Sequence, residues 1–569
     1  MSDVHIWYIC RYSTMIIPGR KSNRKLRKIG AHVYGLQLLD LSNTSIESLP
    51  DLRKIGAHVS GLKHLDLSNT AIESLPDFVR SLDNLTALTL RGCRNLKLVP
   101  SLAKLISLNE LDLGETGITV VPHGLEMLVN LTALILRGCR NLKLVPSLAK
   151  LITLNELDLG ETGITEVPHG LEMLVNLTTL ILRGCRNLKL VPSLAKLITL
   201  NELDLGETGI TEVPDDLGML VDLRYLSLNA PELKSMPQGI LPELSSLQYL
   251  TVFWHSKSVI VEEEEIASLK KLETFGGHFK DMVEFSTYIR SLEKRPLTCY
   301  KIRVGMSGDG NYRMGKISGK SVILGDCEEN SFVLPKDVQY LEIKRCHNIT
   351  SLCNVPSLNY TSEIKHIGLF RCEGMKHILS FASSSSSCTH SLQTLEILEL
   401  YNLDNLLELF KAGSSRVPCD TFSCLKRILI CNCSQIKKLL PPGLLLHLHN
   451  LEEIWVSFCE KLEEIAEEDE EERYTIQITL PRLRILHLSG LPELKTICSK
   501  EIVCHSVEKI EIYGCPKLRR LPLSLPVLNG QLFPPPYLKK IETSEEWWES
   551  LEWDHRNTKN ILQPLLRKL

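Results

Sequence analysis

The chain has 569 residues, with 65 basic against 68 acidic side chains, 43% hydrophobic residues and only 6% aromatics. That length exceeds what one compact core serves, yet no stretch reads as an interdomain linker, so a repeat array is expected. The near-balanced charge excludes a general pull toward nucleic acid or an anionic membrane, and a core so poor in aromatics must be built from layers of leucine, isoleucine and valine.

No window reaches the ~18 to 20 apolar residues that span a bilayer, and the stretch from Ile6 to Ile17 is interrupted by Arg11 and lacks a signal-peptide layout. The expectation is a soluble, cytoplasmic protein, with the nucleus open to it, whose 18 cysteines are reduced thiols.

Residues 1–26 read as an N-terminal extension. The basic cluster Arg20, Lys21, Arg24, Lys25, Arg27 and Lys28 is read chiefly as solvated charge, with nuclear import or docking of an acidic partner as its functional alternatives.

Residues 27–250 read as regular repeats. Gly35 to Pro50 and Gly61 to Pro76 repeat at 26 residues, and from Leu85 the period is 23, with register leucines at Leu108, Leu131, Leu154, Leu177, Leu200 and Leu223. Two unit types alternate. One reads Leu108-x-x-Leu111-x-Leu113-x-x-Thr116-x-Ile118-x-x-Val121-Pro122, the other Leu131-x-x-Leu134-x-Leu136-x-x-Cys139-x-x-Leu142-x-x-Val145-Pro146, and both match the leucine-rich-repeat pattern. In each Leu-x-Leu, alternation along a strand sends both leucines to one face and the residue between them to solvent. The Thr or Cys that follows sits where the backbone turns inward, which demands a small side chain with some hydrogen-bonding capacity. The same register explains Cys93, Cys139, Cys185, Cys346, Cys372, Cys433, Cys459 and Cys515 as core residues rather than metal ligands. The fold class expected is an α/β leucine-rich-repeat solenoid, its parallel sheet on the concave face and a helical or irregular convex side.

Residues 108–153 and 154–199 are near-identical 46-residue blocks that differ at Val120 against Glu166 and Ala133 against Thr179. Residues 251–337 read as degenerate repeats or a surface excursion, with strands near Ile302 and Val304 and near Val322 and Leu324. Residues 338–530 read as irregular repeats, as in Val338-x-x-Leu341-x-Ile343-x-x-Cys346. Residues 531–569 read as a C-terminal cap, in which Trp547, Trp548 and Trp553 cover an open solenoid end.

On the outward face of the duplicated region an acidic row, Glu110, Asp112 and Glu115, alternates with Ala133, Ile135 and Arg137. The pattern recurs through Glu156, Asp158 and Glu161, then Ile181 and Arg183, then Glu202, Asp204 and Glu207. Glu110, Asp112, Glu115, Ile135, Arg137, Asp158, Ile181, Arg183 and Asp204 are the candidate partner-binding residues. Against that stands a plainer reading, in which Arg137 and Arg183 neutralise neighbouring glutamates at about 1 kcal/mol or less per surface pair. Rows so alike offer little variety, so a surface specific for one partner is expected on the irregular coils after Val338.

Other motifs carry less. Gly310 to Lys316 resembles a phosphate loop but is followed by Ile317 where a hydroxyl should hold magnesium, and Gly319-Lys320-Ser321 lacks the first glycine. The acidic run Glu467 to Glu472 lacks the alternating ligands of a calcium loop, and the serine run Ser383 to Ser387 reads as a flexible loop. No zinc spacing, catalytic elbow or paired acid and nucleophile is present, so neither catalysis nor a cofactor is expected.

The alternation of Thr-type and Cys-type units ending in Leu-Pro or Val-Pro, as in Ser48-Leu49-Pro50, resembles the repeat domain of plant intracellular NLR disease resistance proteins of the coiled-coil NB-ARC type. The run Leu483-Arg-Ile-Leu486-His-Leu488-x-x-Leu491-Pro492-Glu493-Leu494-Lys495 and the tail Glu546 to Asp554 resemble their late repeats. The resemblance implies a protein-binding role in defence: sensing a pathogen effector or a guarded host protein, and restraining a nucleotide switch. It also implies an NB-ARC module that this sequence is expected to lack. The alternative is a free-standing intracellular scaffold or adaptor.

Overall fold

The computed structural model of the protein describes residues 14–16, 36–49, 59–252, 262–292, 295–305, 319–327, 333–381, 392–412, 420–441, 444–466, 477–498, 500–521, 523–528, 531–553 and 557–568. The basic cluster at 20–28, the near phosphate loop at 310–316, the serine run and the acidic run at 467–472 lie outside the described residues. The chain divides into two compact units, the first running to Gly277 and the second starting at His278.

In the first unit, three-residue strands stack in parallel at one per coil, among them Leu38–Asp40, His64–Asp66, Ala87–Thr89, Glu110–Asp112, Ala133–Ile135, Glu156–Asp158, Thr179–Ile181, Glu202–Asp204, Tyr225–Ser227 and Tyr249–Thr251. The register aligns Leu88, Leu111, Leu134, Leu157, Leu180, Leu203 and Leu226 as direct neighbours, and none is more than 1% exposed. The leucine column is thus one continuous core, to which every coil contributes a layer it could not bury alone. The return segments close through short turns such as Leu125–Met127 and Leu171–Met173, entered from the left-handed Gly124 and Gly170. A side chain at Gly124 would stand 2.5 Å from Ala103 of the preceding coil, so both the backbone angle and the close approach require glycine there.

The Thr and Cys after the strands form a polar seam inside this apolar core. Thr116 Oγ1 donates to the Leu113 carbonyl at 2.7 Å, and Cys139 Sγ of the next coil donates to the same carbonyl at 3.1 Å. The pattern repeats for Thr70 with Cys93 and for Thr162 with Cys185, and each Thr hydroxyl lies 3.3 Å from its Cys thiol. A buried carbonyl that the strand ladder cannot satisfy is met twice, which suits the small donors Thr and Cys to these coils. Burial raises the thiol pKa of Cys93, Cys139 and Cys185 against the opposing effect of these bonds. The expectation of reduced core thiols fits the buried, free Cys93, Cys139, Cys185, Cys346, Cys372, Cys433, Cys459 and Cys515; Cys353 departs from it, being disulfide-bonded.

Immediately before the inward Thr, Cys or, after Gly490, Leu491, coil after coil steps through the left-handed region: Asn43, Asn69, Gly92, Glu115, Gly138, Glu161, Gly184 and Glu207 in the first unit, and Arg345, Arg371, Asn432, Phe458, Gly490 and Gly514 in the second. In these coils the sharp inward turn therefore has one conformation, whatever residue occupies it.

The second unit uses longer strands, Cys299–Val304, Lys320–Gly325, Tyr340–Lys344, His366–Phe370, Ile397–Tyr401, Arg427–Cys431, Glu453–Ser457, Ile485–Ser489, Lys509–Tyr513 and Lys540–Thr543, followed by the three-residue Leu566–Lys568. Its core row reads Ile302, Val322, Leu341, Ile367, Leu398, Ile428, Ile454, Leu486, Ile510 and Ile541. The β-branched residues that replace leucine suit the more extended strands. On the return side the chain forms short parallel pairs, His377–Phe381 with Glu408–Ala412, Lys438–Leu440 with Glu464–Ala466, and Gln477–Thr479 with Glu501–Val503. That side is therefore partly β.

One helix, Met282–Leu292, interrupts the repeats, with Asp281 Oδ1 accepting the Val283 and Glu284 N–H groups at 3.0 and 3.1 Å as its cap. Met282, Phe285, Tyr288 and Ile289 recur at helical spacing and are buried. Near the C-terminus, Trp547 and Trp548 are buried; their indoles donate to the Leu518 carbonyl at 2.9 Å and to Gln563 at 2.8 Å, and Trp553 packs edge-on against Trp548.

Candidate functional site

In the first unit the outward residues flanking each core leucine form the expected rows. Glu110 is exposed, Asp112, Glu115, Ile135, Arg137, Ile181 and Arg183 are half-buried, and Asp158 and Asp204 are buried at 7% exposure. Ion pairs knit these rows together. Arg137 lies 3.1 Å from Glu161 and 3.8 Å from Asp158, and Arg183 lies 2.6 Å from Glu207 and 3.8 Å from Asp204. Arg140 and Arg186 reach the other oxygens of the same glutamates at 3.6 and 3.8 Å. Two arginines of each Cys-type coil thus face the acids of the next Thr-type coil.

The aspartates have a second task. Asp112, Asp158 and Asp204 each accept the N–H of the glycine two residues on, at 2.8 Å, which fastens the turn leaving the strand. Burial raises the Asp112 and Asp158 carboxyls above the ordinary carboxylate range, against the Gly114 or Gly160 N–H and the neighbouring arginine. Burial works against the Arg183 charge, yet Asp204 and Glu207 raise its pKa. What this face leaves for a partner is chiefly Glu110 and the edges of Ile135 and Ile181, in a frame of charges already paired.

The outward face of the second unit differs in kind. Phe370 stacks on Tyr401 with ring centroids 5.2 Å apart, and Trp455 stacks on His487 at 4.3 Å, with Tyr513 edge-on to His487 at 6.2 Å. His487 Nδ1 lies 3.1 Å from Glu511, which also holds Lys509 at 2.5 Å. The Trp455 indole N–H has no acceptor among the described residues. Beside it Phe458 is 58% exposed at φ 53°, a left-handed conformation that costs a bulky L-residue roughly 1–2 kcal/mol. Its ring lies over Gly490 of the next coil, where a Cβ would stand 2.7 Å from the ring.

Trp455, Phe458 and His487 are not among the expected site residues, although the sequence carries a signal for Trp455 and for Phe458. Alternation about Ile454 and Val456 sends Trp455 outward, and Phe458 occupies the position that other coils give to Asn or Gly. Of the near phosphate loops, Lys320 is described: it opens a strand, and its ammonium pairs with Asp337 at 2.7 Å. Among the described residues no cluster of three or more His, Cys, Asp or Glu is placed to hold a metal ion, and no helix is long and apolar enough to cross a membrane.

These coils define a leucine-rich-repeat solenoid. A crystal structure of a TDR receptor shares this fold with a TM-score of 0.50 and 15% identity, over 92% of this chain and 89% of that one. Residues 410–527 match the family of plant disease resistance protein RPS2-like leucine-rich repeats. The chain is 35% identical over 140 residues to the Arabidopsis thaliana disease resistance protein At4g27190, covering 25% of this chain and 13% of that protein. It is 28% identical over 215 residues to disease resistance protein RPS5 of the same plant, covering 37% of this chain and 20% of that one. Over these stretches the chain is similar to the leucine-rich repeats of plant disease resistance proteins, and its matches span a fifth or less of those two relatives' length.

Proposed function

We propose that this chain is the recognition surface of a plant immune receptor, binding a pathogen effector or a guarded host protein in the cytoplasm or nucleus and restraining a nucleotide switch until it does so. It works through protein contacts and supplies no chemistry. The observation that carries the reading is Phe458, which is exposed, strained and aromatic beside the Trp455 and His487 stack. The fold does not need a phenylalanine there, since neighbouring coils make the same turn with Asn432 and Gly490. Aromatic side chains are the commonest anchors of protein interfaces, and backbone strain kept at an exposed position favours a use in binding. Glu110, Asp112, Glu115, Ile135, Arg137, Asp158, Ile181, Arg183 and Asp204 then form a less selective surface on the first unit.

The test is genetic complementation in the plant that carries the gene. Phe458→Asn and Trp455→Ala should fail to restore isolate-specific resistance, while Phe458→Asn should match or exceed the melting temperature of the parent chain, because asparagine relieves the left-handed strain. Full resistance from both variants would overturn the assignment of this face.

A further inference from the structure

The second unit contains a cavity of about 520 Å³ set apart from the outward sheet face. Its walls are the C-terminal end of the helix Met282–Leu292, the segment 333–337 and the turn Pro356–Tyr360. Its floor is apolar and closed by buried Ile289, Leu297, Tyr300 and Leu334, and Pro296, Pro335 and Pro356 stiffen its rim. That volume and lining fall in the range of small-molecule sites rather than of packing defects.

Charge around the cavity is lopsided. The one carboxylate among its described lining residues, Asp337, is already neutralised: Oδ1 accepts the Tyr300 hydroxyl at 2.9 Å and Oδ2 pairs with the Lys320 ammonium at 2.7 Å. Arg290 and Lys336 line the same cavity, are exposed, and make no ion pair among the described residues. An apolar floor beneath two cations with no ion-pair partner among the described residues is complementary to one chemistry, an apolar body carrying a single anionic group.

We infer that this cavity binds a small amphipathic anion, an aromatic or aliphatic carboxylate whose body lies against Leu297 and Leu334 and whose head lies between Arg290 and Lys336. A neutral apolar ligand would leave both cations unused, and a cationic one would be repelled. The inference stands apart from the sheet-face reading, since no cavity residue lies on that face, and either can fail without the other.

The experiment uses the full chain and the fluorescent probe 1-anilinonaphthalene-8-sulfonate, displaced in turn by 4-phenylbutyrate, 4-phenylbutanol and 4-phenylbutylamine. The expected result is one site per chain, displaced by the carboxylate roughly tenfold more tightly than by the alcohol or the amine, a preference that the pair Arg290→Gln and Lys336→Gln removes. Leu334→Trp should fill the cavity and abolish the site; Ser357→Trp does the same from the half-buried rim should the core variant not fold. Equal displacement by the three ligands, or a probe site that survives both Ser357→Trp and the charge pair, would overturn the inference, the latter by placing the probe elsewhere on the chain.

Discussion

Asp158 shows how one side chain can answer to two demands. Its carboxylate must stay in place to accept the Gly160 N–H, yet burial at 7% exposure penalises its charge more than Arg137 at 3.8 Å relieves it, so its pKa lies above the ordinary value. The sign of the consequence follows from linkage. The folded chain holds this proton more tightly than the unfolded chain, so the residue's contribution to stability is complete below the unfolded pKa and is lost as the pH rises through the folded one. Asp158→Asn keeps an oxygen for Gly160 and removes the charge. Its melting temperature relative to the parent should therefore improve as the pH is raised from about 4 to about 7. A relative melting temperature that falls over that interval would mean that the Arg137 attraction outweighs burial.

At the scale of the coil, the turn-position residues act in pairs that cross from one repeat to the next. The Leu159 carbonyl receives Thr162 Oγ1 at 2.7 Å and Cys185 Sγ at 3.1 Å, so either donor alone can keep it satisfied. Thr162→Val should cost about 1 kcal/mol and Cys185→Val less, while the double variant should cost more than their sum, because only then is a buried acceptor orphaned. Strict additivity in chemical denaturation would show that the two bonds do not share a load.

Coils of this kind were legible in the sequence because their determinants are local and periodic. Leu-x-Leu alternation fixes which face is buried, and the Thr or Cys marks the turn, so the strands around Ile302 and Val322 could be placed even in degenerate units. The helix Met282–Leu292 was missed inside that stretch, although Met282, Phe285, Tyr288 and Ile289 carry a helical spacing, because a single such segment stands against a background of strand periodicity. The paired return strands after His377 depend on neighbouring coils meeting in register, which no single repeat encodes. The outward rows of the first unit were readable as rows; that their charges are already paired was open in the sequence, since ion-pair geometry depends on rotamers and on the stagger between coils.

For the molecule as a whole, each coil interacts with its neighbours along the array, so stability is close to a sum over coils and their interfaces. Removing residues 154–199, a block that repeats 108–153 almost without change, would join coils whose core positions already match. The shortened chain should keep its circular dichroism per residue and melt within a few degrees of the parent. Loss of cooperative unfolding would show that the two blocks are not interchangeable.

The near-identity of those blocks also bears on how a partner would settle. A ligand touching only Ile135 and its surroundings meets almost the same landscape at Ile181, two strands and roughly 10 Å farther along. Two seats so close cannot both be filled by proteins, so a single ligand would have two nearly degenerate positions, a statistical gain of about 0.4 kcal/mol. That degeneracy favours encounter and sliding but leaves the final position undetermined. A unique address has to come from features that occur once, which these duplicated coils do not supply.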